Sequence, residues 1–131
     1  MRKRRVERTR CSGTMTEAEF RNWVLAALRR LTMRWKPAND AWKINTRPNK
    51  SGKGRHKIEH QCAMCLKWFP KYSKRSKNIG VVLDHIVPIG GLSCLSKLEQ
   101  WVLRALVEVE GYQKLCTLCH QIKTNSERSL K

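Results

Sequence analysis

Acidic residues are scarce in this chain beside the basic ones. Ten Asp and Glu stand against 28 Lys and Arg, a formal net charge of +18 over 131 residues. A compact fold with that excess repels itself unless a polyanion relieves it. DNA and RNA are the polyanions that reward such charge, through counterion release at their phosphates. An anionic membrane surface is the competing partner. A second absence bears on that competitor: no run of about 18 apolar residues exists, so no membrane span is expected. The basic start, MRKRRVERTR, leads into no apolar segment of the kind a signal peptide carries, so a reducing cytoplasm is the expected compartment. There is no internal repeat, and 131 residues suffice for one domain with a modest core and hardly for two. Hydrophobic residues are not scarce. At 40% they exclude a chain that is disordered by composition.

Four segments are expected. Residues 1–13 form a basic arm in which Arg2, Lys3, Arg4, Arg5, Arg8 and Arg10 are opposed only by Glu7. A solvated terminus is one reading and an arm that tracks phosphates the other; the basic character of the whole chain favours phosphates. Residues 14–37 hold an N-terminal helix from about Glu17 to Trp35. Thr16 and Glu19 make a capping box, Phe20, Trp23, Val24, Ala27, Leu28 and Leu31 an apolar stripe assigned to packing, and Pro37 the stop. Residues 38–60 read as an irregular basic linker whose Lys50, Lys53, Arg55 and Lys57 could meet phosphates. His56 and His60 fall in it and are expected to be exposed. Residues 61–131 carry the chemistry: a strand at Val81-Val82-Leu83, a helix from about Lys97 to Val109 with Ser96 and Glu99 as its capping box, a second strand at 112–115, and a last helix from Cys119 to about Glu127.

The six cysteines are unevenly spread. Cys62-x-x-Cys65 and Cys116-x-x-Cys119 are two close pairs, and Cys11 and Cys94 stand alone. Two such pairs supply four thiolates, the number that tetrahedral structural zinc takes; each pair can wrap one side of a sulfur shell of about 2.3 Å. Buried thiols or redox-active pairs are the alternatives, and in a reducing compartment metal is the stronger reading.

Two histidines stand next to ligand-type residues. His85 follows Asp84 at the end of an apolar strand, and His120 follows the last cysteine. A metal that draws the cysteine pairs together could bring Asp84, His85 and His120 into one place, where Asp and His suit a divalent cation and a further His suits a general base. Asp84 capping a turn and His120 merely lying near the cysteines is an equally good account of the residues alone.

Cys62–Cys65, then Leu83-Asp84-His85-Ile86-Val87-Pro88 with Gly90-Gly91, then Leu115-Cys116 and Cys119-His120 with Lys123-Thr124 and Glu127, resembles the zinc-containing HNH endonucleases of bacteriophages. The resemblance covers residues 62–127, about half of the chain, and more loosely the stretch from Ala27 to Pro37. It implies a small α+β fold: a ββα-metal unit stapled by a four-cysteine zinc, with an N-terminal helix and an extra inserted helix. It implies a catalytic cation, Mg²⁺ or similar, on Asp84 and His120, with His85 activating water. It also implies DNA as substrate, a bacterial host cell as setting, and Lys123 among the nucleic-acid contacts. One departure stands out: there is no Asn between His85 and Cys116, where the family carries its middle residue, and Gln113 is the nearest stand-in. A second class of function fits the same residues, a non-catalytic zinc protein on this scaffold that binds DNA, RNA or a phage or host protein complex.

Overall fold

The elements of the computed structural model, which describes residues 2–51, 56–75 and 78–130, follow from local chemistry in most places. Helix α1 spans Glu17–Thr32. The Thr16 hydroxyl accepts from the Glu19 N–H at 3.2 Å, the N-cap half of the expected capping box, and donates to the Glu19 carboxylate at 3.2 Å. Pro37 does not end this helix. It lies in the first turn of a short helix α2, Lys36–Trp42, where its missing N–H costs nothing. The expected irregular linker therefore holds α2 and two strands, β1 at Thr46–Pro48 and β2 at Ile58–Gln61. With β3, Trp68–Phe69, these make a three-stranded antiparallel sheet in the order β1-β2-β3.

Strands β4, Val81–His85, and β5, Tyr112–Cys116, form a second, antiparallel pair in which Asp84 lies opposite Gln113 and His85 opposite Tyr112. Gly80 precedes β4 because nothing larger fits: a Cβ there would stand 2.5 Å from the Tyr72 Cα. The long connection between the strands carries helix α3, Leu98–Ala105. This helix is shorter than its apolar stripe suggested, and Ser96 does not cap it: a 3-10 turn over Leu95–Lys97 precedes α3, and the Ser96 hydroxyl sits 3.0 Å from the Cys94 sulfur. Gly111 closes no helix; it ends a 3-10 turn, Val109–Gly111, that leads into β5. Helix α4, Thr117–Ser129, begins two residues earlier than expected. No helix among the described residues is long and apolar enough to cross a membrane.

Contacts divide the chain into two units, residues 1–35 with 89–106, and residues 36–88 with 107–131. The α3 insert thus belongs with the N-terminal helix and not with the cysteine-bearing segment in which the sequence grouped it. In the first unit Leu25, Trp101 and Ala105 form the core, packed by Leu28, Ile89, Leu92 and Val102. Trp101 Nε1 donates to the Gly90 carbonyl at 3.2 Å and Arg104 Nε to that of Ile89 at 2.7 Å, which pins the start of the insert to α3. The packing stripe of α1 is rotated from the one expected: Leu25, outside the predicted stripe, is buried, while Trp23 is 62% and Leu31 54% exposed. In the second unit α2 and α4 both contact the β4–β5 pair.

Candidate metal centre and the Asp84–His120 site

The first cysteine pair is the tip of the β2–β3 hairpin. Cys62 N–H bonds the Lys67 carbonyl at 2.9 Å and Leu66 N–H the Cys62 carbonyl at 3.0 Å, a turn tight enough to hold Leu66 at φ 63°. Ala63 N–H reaches the Lys114 carbonyl of β5 at 2.8 Å and ties this tip to the second pair. Cys116 ends β5 and also caps α4: its sulfur accepts from the Cys119 N–H at 3.4 Å.

The four sulfurs of Cys62, Cys65, Cys116 and Cys119 lie within 4.8 Å of one another, with Cys65 and Cys116 at 3.9 Å. A tetrahedron with bonds of about 2.3 Å has edges of about 3.8 Å, so these residues could hold a metal ion with little adjustment. The separation is far beyond the roughly 2.05 Å of a disulfide, and all four are free thiols, as are Cys11 and Cys94. Their acidities are driven apart. Burial works to raise Cys62, but backbone hydrogen bonds at Cys116, Cys65 and Met64 bring it down to about 6. Burial, then the neighbouring thiols of Cys116, Cys62 and Cys65, push Cys119 up to about 12. A cation held among these four sulfurs would compensate their charge.

A second polar cluster adjoins this one, on the face of the β4–β5 pair that carries Asp84. Asp84 Oδ1 stands 3.7 Å from His120 Nε2 on α4. Asp84 Oδ2 receives Lys123 Nζ at 2.8 Å and Gln113 Nε2, from its cross-strand partner, at 3.2 Å. Lys123 also meets Glu127 Oε1 one turn on at 2.5 Å and donates to the His85 carbonyl at 3.0 Å. Burial works to lower the Lys123 pKa, but the hydrogen bonds to Asp84 and Glu127 outweigh it and raise the value. Lys123, expected among the phosphate contacts, thus has its ammonium engaged inside the protein, with 18% of its side chain exposed. His85 is brought near through its carbonyl. Its ring packs on Tyr112, centroids 4.8 Å apart, and successive residues of a strand point to opposite faces, so this ring and the Asp84 carboxylate leave β4 on different sides.

Comparison with protein-family models, curated proteins and solved structures finds no match for this chain. The meaning of the site therefore rests on its own geometry and charge.

The remaining expected contacts are distributed as follows. Arg2, Lys3, Arg4 and Arg5 are exposed and lie in no regular element; Lys50 and Lys57 are exposed; Lys53 and Arg55 lie outside the described residues. The end of the arm is not free. Arg10 pairs by a backbone bridge with Met15, meets Glu17 at 2.8 Å and lies 4.6 Å over the Phe20 ring, and Arg8 bonds the Thr14 carbonyl at 2.6 Å. His60, expected in an exposed loop, is buried on β2. It lies 3.2 Å from Lys114 Nζ and edge-on to Trp42, and its pKa is lowered by burial and then by the Lys114 and Lys71 charges. Lys114, to which the sequence reading gave no role, is 6% exposed. Its ammonium is bound by the Ile44 carbonyl, with those of Trp42 and Asn45 at 3.4 Å, at the exit of α2. Only the alternation of β5 could have signalled this, because it sends Lys114 to the same face as buried Tyr112 and Cys116.

Proposed function

We propose that this chain is a metal-dependent endonuclease of the HNH type that hydrolyses phosphodiester bonds of DNA, with a structural zinc on Cys62, Cys65, Cys116 and Cys119. The observation that carries the reading is the Asp84–His120 pair, set across a strand–strand–helix frame beside a four-sulfur cage. Thiolates alone favour zinc among common divalent ions. One carboxylate and one imidazole instead suit Mg²⁺ or a similar ion; two ligands bonded at about 2.1 Å to one ion stand at most about 4.2 Å apart, and Asp84 and His120 are within that span.

Asp84 Oδ1 and His120 Nε2 would hold the cation, which when bound polarises the scissile phosphate and stabilises the leaving oxygen. For His85 to take the proton of the attacking water, its ring would have to leave Tyr112 and turn to the Asp84 side of β4. Gln113 stands where the family's middle Asn is missing and orients Asp84 through its amide. The exposed arm, Arg2 to Arg5, with Lys50 and Lys57, would follow the phosphates, which sets position along DNA and not sequence. A phage-infected bacterial cell is the setting this reading implies.

The test is nicking of supercoiled plasmid by the zinc-loaded protein in Mg²⁺ or Mn²⁺. His120→Ala and His85→Ala are expected to abolish it while the circular dichroism spectrum stays native. Plasmid that is bound but never cut by the folded wild type overturns the enzyme reading.

That outcome would support a second reading, a nucleic-acid-binding or complex-associated accessory protein on the same scaffold. Two observations favour it. Lys123 already compensates Asp84 without any cation, and the His85 ring shares a strand face with Tyr112 and not with Asp84.

A further inference from the structure

The two oxygens of Asp84 have different partners. Oδ2 is held by the Lys123 ammonium at 2.8 Å and the Gln113 amide at 3.2 Å. Oδ1 faces His120 Nε2 at 3.7 Å, beyond hydrogen-bond length. Lys123 is itself fixed at three points, by Asp84, by Glu127 Oε1 at 2.5 Å and by the His85 carbonyl at 3.0 Å. Asp84 and Glu127 bring two formal negative charges and Lys123 one positive, so these three side chains together are one unit negative beside His120.

We propose that Lys123 is a resident counter-cation of this site: its ammonium holds one oxygen of Asp84, leaves Oδ1 as the open donor beside His120, and sets how tightly a divalent ion is held there. The inference rests on the reading of Asp84 and His120 as cation ligands. Two physical effects of Lys123 oppose each other. By fixing the carboxylate it preorganises a ligand, which favours the ion. By placing a positive charge a few ångströms away it repels the ion. With a divalent charge about 5 Å away and an effective dielectric constant of about 20, repulsion is the larger effect. Lys123 therefore keeps the ion weakly held and exchangeable, and it keeps the two carboxylates compensated when no ion is present. Glu127 acts in the opposite sense: it offsets part of the ammonium's charge and so favours the ion.

The experiment uses the whole 131-residue chain, zinc-loaded, and Mn²⁺ alone, counted by the electron paramagnetic resonance signal of the free ion. Mn²⁺ prefers oxygen and nitrogen to thiolate and leaves the sulfur cage alone. His120→Ala defines the binding that belongs to this site. Lys123→Met is expected to tighten that binding by at least about tenfold, Lys123→Arg to leave it near wild type, and Glu127→Gln to weaken it. The melting temperature of zinc-loaded Lys123→Met without Mn²⁺ is expected to fall and to be restored by millimolar Mn²⁺, a rescue that the wild type does not show. If binding that depends on His120 exists but Lys123→Met leaves it unchanged or weaker, the counter-cation role is overturned and the cation site stands. If no variant binds Mn²⁺ in a way that depends on His120, the reading of Asp84 and His120 falls and the inference falls with it. Should Lys123→Met fail to fold, Glu127→Gln decides, and unchanged or tighter Mn²⁺ binding there overturns the proposal.

Discussion

In the unit of residues 1–35 and 89–106, cohesion comes from ordinary apolar side chains: Leu25, Trp101 and Ala105, with Leu28, Ile89, Leu92 and Val102 against them. In the unit of residues 36–88 and 107–131, the buried cluster around Leu115 is Cys62, Cys116 and Cys119, with Cys65 and Phe69 beside it. The first kind of core gains stability in proportion to the apolar area it buries. The second has little such area, and three of its four members are cysteines of the cage that could hold a metal ion. A small chain can thus hold two structures together by different means, and the two should fail under different treatments.

The largest difference should come from removing the ion. Structural zinc contributes on the order of 10 kcal/mol to folding, comparable to the roughly 5–15 kcal/mol that a whole domain has to lose. Cys116→Ser, which also removes the sulfur that caps α4, is expected to abolish zinc binding and the hydrogen-exchange protection of β4 and β5. Retained protection in a zinc-free protein would make the two cores alike after all. Trp101→Ala strikes the other unit. It should cost about 3–5 kcal/mol in urea unfolding, yet leave one zinc per chain by elemental analysis; lost zinc would show that the units are not separable.

Deleting residues 2–7 removes Arg2, Lys3, Arg4 and Arg5 but spares the docked turn around Arg10. The log–log salt dependence of duplex DNA binding should become shallower by about 0.9 for each phosphate those residues meet. An identical slope would assign the arm another job. The smallest effects are on α1. Thr16→Ala should cost about 1 kcal/mol through the lost cap, and Trp23→Ser should change stability by less than about 0.5 kcal/mol, because the ring is exposed. A large loss at Trp23 would mean that something covers it.

The features legible in the sequence were those fixed by spacing or by neighbours a few residues away. Two Cys-x-x-Cys pairs announced a four-sulfur cluster, and the cluster is there. Thr16 with Glu19 announced a cap, and the cap is there. The strand at Val81 and its partner at 112–115 were also readable, the first from its unbroken run of two β-branched residues and a leucine behind Gly80. What could not be read depended on tertiary partners. The apolar residues of α1 cover so wide an arc that periodicity leaves open which sector is buried, and Leu25 rather than Trp23 faces Trp101. Ser96 and Glu99 spell a capping box but form none, because the chain enters α3 through a 3-10 turn. At the site, Asp84 and His120 were legible as neighbours only through the cysteine pair that precedes His120. The engagement of Lys123 needed the register of α4 against β4, which no local pattern carries.

The connection between β4 and β5 bears on what this scaffold tolerates. Its two ends are held side by side, Ile86 N–H to the Gly111 carbonyl at 3.0 Å, so the strand pair closes on itself at that point whatever the length of chain between them. Closing a longer loop is cheap, about 0.6 kcal/mol for each doubling. Any folded piece whose own termini lie close together could be spliced in there without disturbing the strand register or the sulfur cage. That makes the doorway between Ile86 and Gly111 the natural place to graft, shorten or exchange a module, and the α3 segment is one such guest.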